Sequence, residues 1–268
     1  MSADKYSPNG LEGALQGRDK LNFFERFFKL DRHVAEDWVR CSWNVNPYVL
    51  ACLRLLFLTN MLLAVSRSLY RAFQLPTAID TVKYFFKLTH LSNLALLMYF
   101  ALMTLLSFRH ARDRTHWGSL RRFVVNALHF SAWMFQIVIP PIYWIPLRGY
   151  ENNHTVVAWW QDVSMHGLGL VFLVIELVMV KRWYACWQDG VVSVGMMVSY
   201  MFWMWIAAAL IMETVTVEGV SVQRHWWPYS IYRFGSKLAP VFYVGTVILC
   251  VVVSAMVVGL HKLKNRQS

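Results

Sequence analysis

The run LAPVFYVGTVILCVVVSAMVVGL occupies residues 238–260 and contains no charged side chain. About 20 apolar residues cross a hydrocarbon core of roughly 30 Å as a helix, so a run of this length predicts a membrane span. The run is continuously apolar rather than alternating, which favours a helix over a strand of a membrane barrel. A single segment of this kind indicates that lipid is the solvent for much of the chain.

Five further runs share this length and composition, and all six are predicted to cross the membrane as helices. The six runs lie at about 48–66, 85–108, 123–147, 156–180, 191–212 and 238–260. Of the 268 residues, 57% are hydrophobic and only 15% are charged, whereas a soluble domain carries about 25% charged residues. The sequence therefore predicts an all-α fold, a polytopic membrane helical bundle, with residues 47–261 as one six-helix domain.

The distribution of basic residues predicts the orientation of these spans. Lys and Arg number 17 in the segments on one side of the membrane and 8 in those on the other. Because Lys and Arg are enriched in cytosolic loops, residues 1–46 and the tail at 262–268 are both predicted to be cytosolic. The net charge of +11 then indicates contact with lipid headgroups rather than with nucleic acid. The endoplasmic reticulum and the plasma membrane are not distinguished.

The N-terminal segment carries one amphipathic stretch at about 21–38. Its phenylalanines and leucines recur at helical spacing, and charges of both signs occupy the remaining positions. This pattern predicts a helix that lies on the cytosolic membrane surface. Packing of the same apolar face against the helical bundle is the alternative.

Polar residues inside a bilayer are costly, so each one is a candidate functional residue. Thr89 and Asn93 in the second span are four residues apart and share a helix face, as do Asp162 and His166 in the fourth. A hydroxyl beside an imidazole is the minimum set for nucleophilic acyl transfer, and a carboxylate can orient the ring. The pattern indicates Thr89 as nucleophile, His166 as base, and Asp162 and Asn93 as support. Alternatively, Thr89 bonds its own helix backbone and His166 is an interhelical donor.

Four short motifs carry a family resemblance over about 54–260. They are YFFKLT at 84–89, SMHG at 164–167, Glu176 near the end of the fourth span, and WWPY at 226–229. Together they resemble the FAR-17a/AIG1-like membrane proteins, with the rolling-stone proteins as a second neighbour.

The resemblance to the hydrolytic branch of that family implies an intramembrane enzyme without a cofactor. A threonine and a histidine there cleave esters that join a fatty acid to a hydroxy fatty acid, which carries over to Thr89 as nucleophile and His166 as base. The expected partners are membrane lipids and a lipid ester substrate. The rolling-stone relatives imply instead a non-catalytic role in scaffolding, signalling or cell fusion. Transport is a weaker third alternative, since no inverted repeat is visible.

Two charged residues inside the spans are expected to be structural. Arg54 in the first span and Glu176 in the fourth have similar predicted depths and opposite charges. An unpaired charge at that depth is expensive. The two side chains are therefore predicted to pair, or each to extend to the interface.

The remaining polar groups do not favour a metal site. His90, His129 and His166 all lie within spans, but at three different predicted depths, which argues against a haem held by two of them. No ligand spacing typical of zinc is present. The segment 213–237, which is rich in aromatic and basic residues, is interpreted as an interfacial belt or, alternatively, as a lid over Thr89.

Overall fold

A computed structural model of the chain describes residues 23–28, 38–39, 46–75, 78–112, 119–142, 155–183, 185–217, 220–228, 237 and 239–267. Within these ranges, six helices of 21 to 28 residues are long and apolar enough to cross a membrane. The all-α membrane bundle predicted from the sequence is thus confirmed, and the chain is a multi-pass integral membrane protein.

The elements are numbered in chain order. Two short helices, α1 (Phe23–Phe27) and α3 (Ala78–Tyr84), lie outside the spans. The spanning helices are α2 (Pro47–Phe73), α4 (Leu88–Arg112), α5 (Ser119–Ile142), α6 (Val156–Met179), α7 (Trp187–Leu210) and α8 (Ala239–Gln267). A hairpin of two antiparallel strands, β1 (Met212–Val217) and β2 (Val220–His225), follows α7.

Several helices begin where the sequence supplies a cap for the free N–H groups of the first turn. The Asn46 side chain accepts a hydrogen bond from the Tyr48 N–H at 3.0 Å, and Pro47, which has no N–H to satisfy, follows it in α2. The Thr155 hydroxyl accepts from the Ala158 N–H at the start of α6. These caps set the helix starts independently of hydrophobicity.

The third span, predicted at 123–147, is described only as far as Ile142. Helix α5 begins at Ser119, four residues before the predicted start, and Pro140 and Pro141 lie in its last described turn. Each proline lacks an N–H and its ring crowds the preceding turn, so this pair weakens the helix at its described end. Residues 143–150 lie outside the described residues.

Only part of the predicted surface helix at 21–38 is described. The Phe27 ring contacts the Trp187 ring edge-on, with centroids 5.9 Å apart, and the Phe28 ring contacts that of Phe123 at 4.7 Å. The described turn of α1 therefore packs against α5 and α7, which favours the bundle-packed alternative for this part of the segment.

The core lies on the inner faces of the spanning helices. Leu96, Phe100, Phe130 and Leu173 are completely buried there. Large apolar side chains on the opposite faces remain exposed, as expected where lipid replaces water. The polar side chains described next interrupt this apolar core in two places.

Candidate functional site

The threonine predicted as nucleophile lies in the first turn of α4. A turn connects α3 to α4, and the Tyr200 hydroxyl of α7 donates a 2.8 Å hydrogen bond to the Phe86 carbonyl within it. Thr89 is half-buried. Its hydroxyl has no hydrogen-bond partner among the described residues, so it is not tied to the backbone of its own helix.

The histidine predicted as base lies in a π turn of α6. The turn covers Ser164–Leu168 and interrupts an otherwise regular α-helix. Single π turns within α-helices occur frequently at functional sites. His166 is half-buried in this turn. No pattern in the sequence signals the irregularity.

A single side chain connects these two turns. Asn93 is completely buried, and its Nδ2 donates to the carbonyl of Thr89 and to the carbonyl of Met165, each at 2.9 Å. Met165 precedes His166 in the π turn. The residue expected to give polar support therefore holds the backbone of the nucleophile's turn against that of the base's turn.

This contact resolves a difference in depth that the sequence implies. His166 lies roughly 15 Å from the start of its span at about 1.5 Å per residue, whereas Thr89 lies at the very start of α4. Because Asn93 and Met165 are in direct contact, the first turns of α4 lie level with the π turn of α6.

A second imidazole, His90, belongs to the same cluster. Its ring stacks on that of Tyr84, with centroids 3.8 Å apart and planes 12° from parallel. Nδ1 of His90 is buried and has no hydrogen-bond partner among the described residues. His90 and His166 are close enough to interact electrostatically, and Lys87 acts on both. The cluster is therefore more polar and more basic than a Thr–His pair alone.

Tyr84 precedes the spanning helix and closes one side of the cluster. Its ring is 6% exposed, and burial raises the pKa of its phenol, so the hydroxyl stays protonated at neutral pH. Asp162 is half-buried one turn before His166 in α6. Its assignment as the carboxylate that orients the ring stays a prediction.

The segment at 213–237, predicted to be a belt or a lid, packs partly over the turn that leads to Thr89. Trp226, directly after β2, is buried against Phe86, with ring centroids 6.4 Å apart, and Phe86 stacks on Trp203 at 4.8 Å. The Trp226 N–H also donates to the Ile211 carbonyl. The end of the hairpin thus covers the α3–α4 turn, which the lid interpretation requires.

Gly169, just after the π turn, allows a close approach of helices. A Cβ at this position would overlap the side chains of Gln136 and Leu96, both buried. A Gly169→Ala substitution is therefore expected to lower the free energy of unfolding by about 1–3 kcal/mol through overpacking. The measurement is thermal unfolding of the purified protein in detergent.

Gly167 supplies the matched control for that substitution. Nothing lies within 4 Å of a Cβ built on it, so Gly167→Ala should retain the wild-type melting temperature or raise it slightly through helix propensity. Equal melting temperatures for both variants would contradict the overpacking argument.

A separate polar cluster lies at the end of the bundle opposite to Thr89. The charged residues predicted to pair do so: Nε of Arg54 donates to Oε1 of Glu176 at 2.7 Å, and the two side chains are 0% and 1% exposed. The other guanidinium nitrogens donate to the Ser107 hydroxyl and the Trp38 carbonyl. With every donor nitrogen engaged inside the protein, neither side chain extends to the interface.

The same end contains a buried histidine pair that the sequence analysis missed. Nε2 of His129 lies 3.0 Å from Nε2 of His261, while Nδ1 of His129 lies 2.9 Å from the Tyr99 hydroxyl. The Trp183 ring stacks on His129 at 3.7 Å. His129 thus pairs with the end of α8 and is remote from the cluster of His90 and His166, which excludes the pairing of His129 with either.

The amide of Asn126 extends this second cluster. It accepts from Nε1 of Trp183 and donates to Oδ1 of Asp189, whose other oxygen accepts the Cys186 N–H at 2.8 Å. In the described part of the chain, no group of three or more His, Cys, Asp and Glu side chains could hold a metal ion. These contacts form a structural network that joins α5 to the start of α7.

Comparison of the chain with protein-family models, with curated proteins and with solved structures finds no match. The resemblance to FAR-17a/AIG1-like proteins therefore stays a prediction. The Thr89 cluster gathers two imidazoles, a cation and a hydroxyl that has no partner among the described residues at one end of the membrane bundle.

Proposed function

We propose that this chain is an intramembrane threonine hydrolase of lipid esters, with Thr89 as nucleophile and His166 as general base. The observation that carries the proposal is the Asn93 amide, which donates to the carbonyls of both Thr89 and Met165. It couples the turn that bears the hydroxyl to the turn that bears the imidazole. Such coupling supports chemistry that needs both groups at one carbonyl.

The reaction would follow the two steps of covalent acyl transfer. Thr89 Oγ attacks the ester carbonyl carbon while its proton passes to His166. The tetrahedral intermediate expels the alcohol, which takes that proton, and leaves an acyl-threonine ester. A water molecule, deprotonated by the same imidazole, then attacks the acyl carbon. The bond between that carbon and Thr89 Oγ breaks, the imidazolium returns its proton to Oγ, and the fatty acid is released.

Approach of the hydroxyl to the imidazole is required when substrate binds. The Thr89 hydroxyl has no hydrogen-bond partner among the described residues, and hydrogen bonds of catalytic groups often tighten only in the substrate complex. The freedom of this hydroxyl is consistent with such a movement. His90, adjacent to Thr89 in the sequence, can donate a hydrogen bond to the developing oxyanion.

The location of the cluster supports a substrate with both apolar and anionic parts. Phe85 is 39% exposed, and Lys87 is exposed next to it. A fatty acid ester of a hydroxy fatty acid has long acyl chains and a free carboxylate. The chains would lie in lipid while the carboxylate pairs with Lys87, which agrees with the substrate class that the resemblance implies.

A fluorophosphonate probe tests the nucleophile directly, because it phosphonylates an activated hydroxyl. In purified full-length protein we expect labelling of the wild type and loss of labelling in both Thr89→Ala and His166→Ala. Thr59→Ala is the matched control. The exposed hydroxyl of Thr59 donates to the Leu55 carbonyl of its own helix, so its removal should leave labelling unchanged. Labelling is read by mass spectrometry of the modified peptide.

Folding of each variant is checked by its melting temperature, so that loss of labelling is not loss of structure. Labelling that persists in Thr89→Ala would overturn the proposed nucleophile. An unlabelled but folded wild type would favour the non-catalytic role that the rolling-stone resemblance implies.

A further inference from the structure

We propose that a groove between α7 and α8 binds an acyl chain of an anionic phospholipid, whose headgroup is held by Lys262. The groove lies at the end of the bundle opposite to Thr89, where α7 begins and α8 ends. At this end Nζ of Lys264 donates to the Val178 carbonyl in the last turn of α6. It is therefore a separate site and does not depend on the proposed hydrolysis.

The shape of the groove fits one acyl chain. Its volume is about 600 Å³, and it follows α8 from Val251 to Lys262, roughly 16 Å at about 1.5 Å per residue. This length is about half of a hydrocarbon core of roughly 30 Å, which is the depth of one leaflet. Valines of both helices line its sides, and the small residues Gly190, Ala255 and Gly259 form part of its lining.

The groove also contains a polar atom with no partner. Ser254 is only 6% exposed, yet its Oγ makes no hydrogen bond with any described residue. A Cβ on Gly190 would lie 3.1 Å from that of Ser254, so the two helices approach closely at this point. A buried hydroxyl without a partner is costly, and in a phospholipid only an ester carbonyl or the headgroup, not the acyl chain, can accept its hydrogen bond.

Charge and aromatic residues at the mouth favour an anionic phospholipid as the ligand. Trp187 is 59% exposed there, and tryptophan is enriched at the headgroup level of membranes. Lys262 is exposed beside it, and its ammonium attracts a headgroup that carries a net negative charge more strongly than a zwitterionic one. In the predicted orientation this end of the bundle faces the cytosol, and anionic lipids are abundant in the cytoplasmic leaflet.

Gly259 allows the groove to be filled without disturbing the fold. Nothing lies within 4 Å of a Cβ built on it, and the same holds for Gly245 on the same helix outside the groove. We would compare wild type, Gly259→Leu, Lys262→Gln and the control Gly245→Leu by native mass spectrometry of the purified full chain. The probes are phosphatidylserine and phosphatidylcholine with identical acyl chains.

In Gly259→Leu, the affinity for both lipids should fall by about tenfold, because the leucine side chain displaces about two methylene groups of the acyl chain from the groove. Lys262→Gln should reduce phosphatidylserine binding about fivefold and leave phosphatidylcholine binding unchanged. Gly245→Leu should match the wild type. Equal lipid binding in Gly259→Leu and Gly245→Leu would overturn the proposal. A change of oligomeric state in Gly259→Leu would also overturn it, because it would identify a second copy of the chain as the occupant of the groove.

Discussion

Thr89→Ala is expected to lower the hydrolysis of a fatty acid ester of a hydroxy fatty acid by about 10³-fold or more, because the residual rate lacks a covalent intermediate. Thr89→Ser keeps the hydroxyl and should retain a measurable fraction of activity. The loss should fall on kcat rather than on KM, since the hydroxyl contributes little to ground-state binding. The measurement is release of free fatty acid by purified protein in mixed micelles.

A valine variant separates a chemical role of Thr89 from a packing role. Thr89→Val has nearly the volume of threonine and no hydroxyl, so it should be as inactive as Thr89→Ala while melting like the wild type. Activity of Thr89→Val above a tenth of the wild-type rate would show that this hydroxyl is not the nucleophile.

Arg54→Met is expected to reduce the free energy of unfolding by about 3–5 kcal/mol, because it leaves the Glu176 carboxylate buried without its counter-ion. Two further acceptors around the guanidinium, the Ser107 hydroxyl and the Trp38 carbonyl, lose their donor at the same time. The measurement is reversible unfolding in mixed detergent. Arg67→Met in the same helix is the control, because Nε of Arg67 donates to the neutral Gln161 side chain at 3.2 Å. Loss of this hydrogen bond should lower the free energy of unfolding by only about 1 kcal/mol.

The double variant Arg54→Met with Glu176→Met tests whether the cost comes from the orphaned charge. Replacing a buried ion pair by apolar residues is often close to neutral. The double variant should therefore recover most of the stability lost in Arg54→Met. If both are equally unstable, packing of the guanidinium stem rather than charge is responsible.

The spans were predictable because the thickness of a bilayer fixes their length and because lipid requires continuous apolarity. The ion pair was predictable for a related reason: at a common depth, Arg54 has few partners other than Glu176. Both arguments use only depth and charge, which can be read along the chain.

Features that depend on the rotation of helices about their axes were not predictable in this way. His261 was placed at the boundary between the last span and the tail, so its contact with His129 was missed, although the predicted topology puts both in the same leaflet. The π turn around His166 has no period of its own in the sequence. The hairpin did have a signal: METVTV and VSVQRH are rich in β-branched residues and are separated by Glu-Gly.

The contact between His129 and His261 fixes the tautomer of each ring. Nδ1 of His261 lies 2.8 Å from the Val257 carbonyl, which can only accept, so that nitrogen carries the proton and Nε2 of the neutral ring is an acceptor. Nε2 of His129 must then donate, and its Nδ1 must accept from the Tyr99 hydroxyl. One backbone carbonyl therefore dictates the direction of a row of hydrogen bonds from α4 to α8. Reversing that row would require an extra proton on the His261 ring.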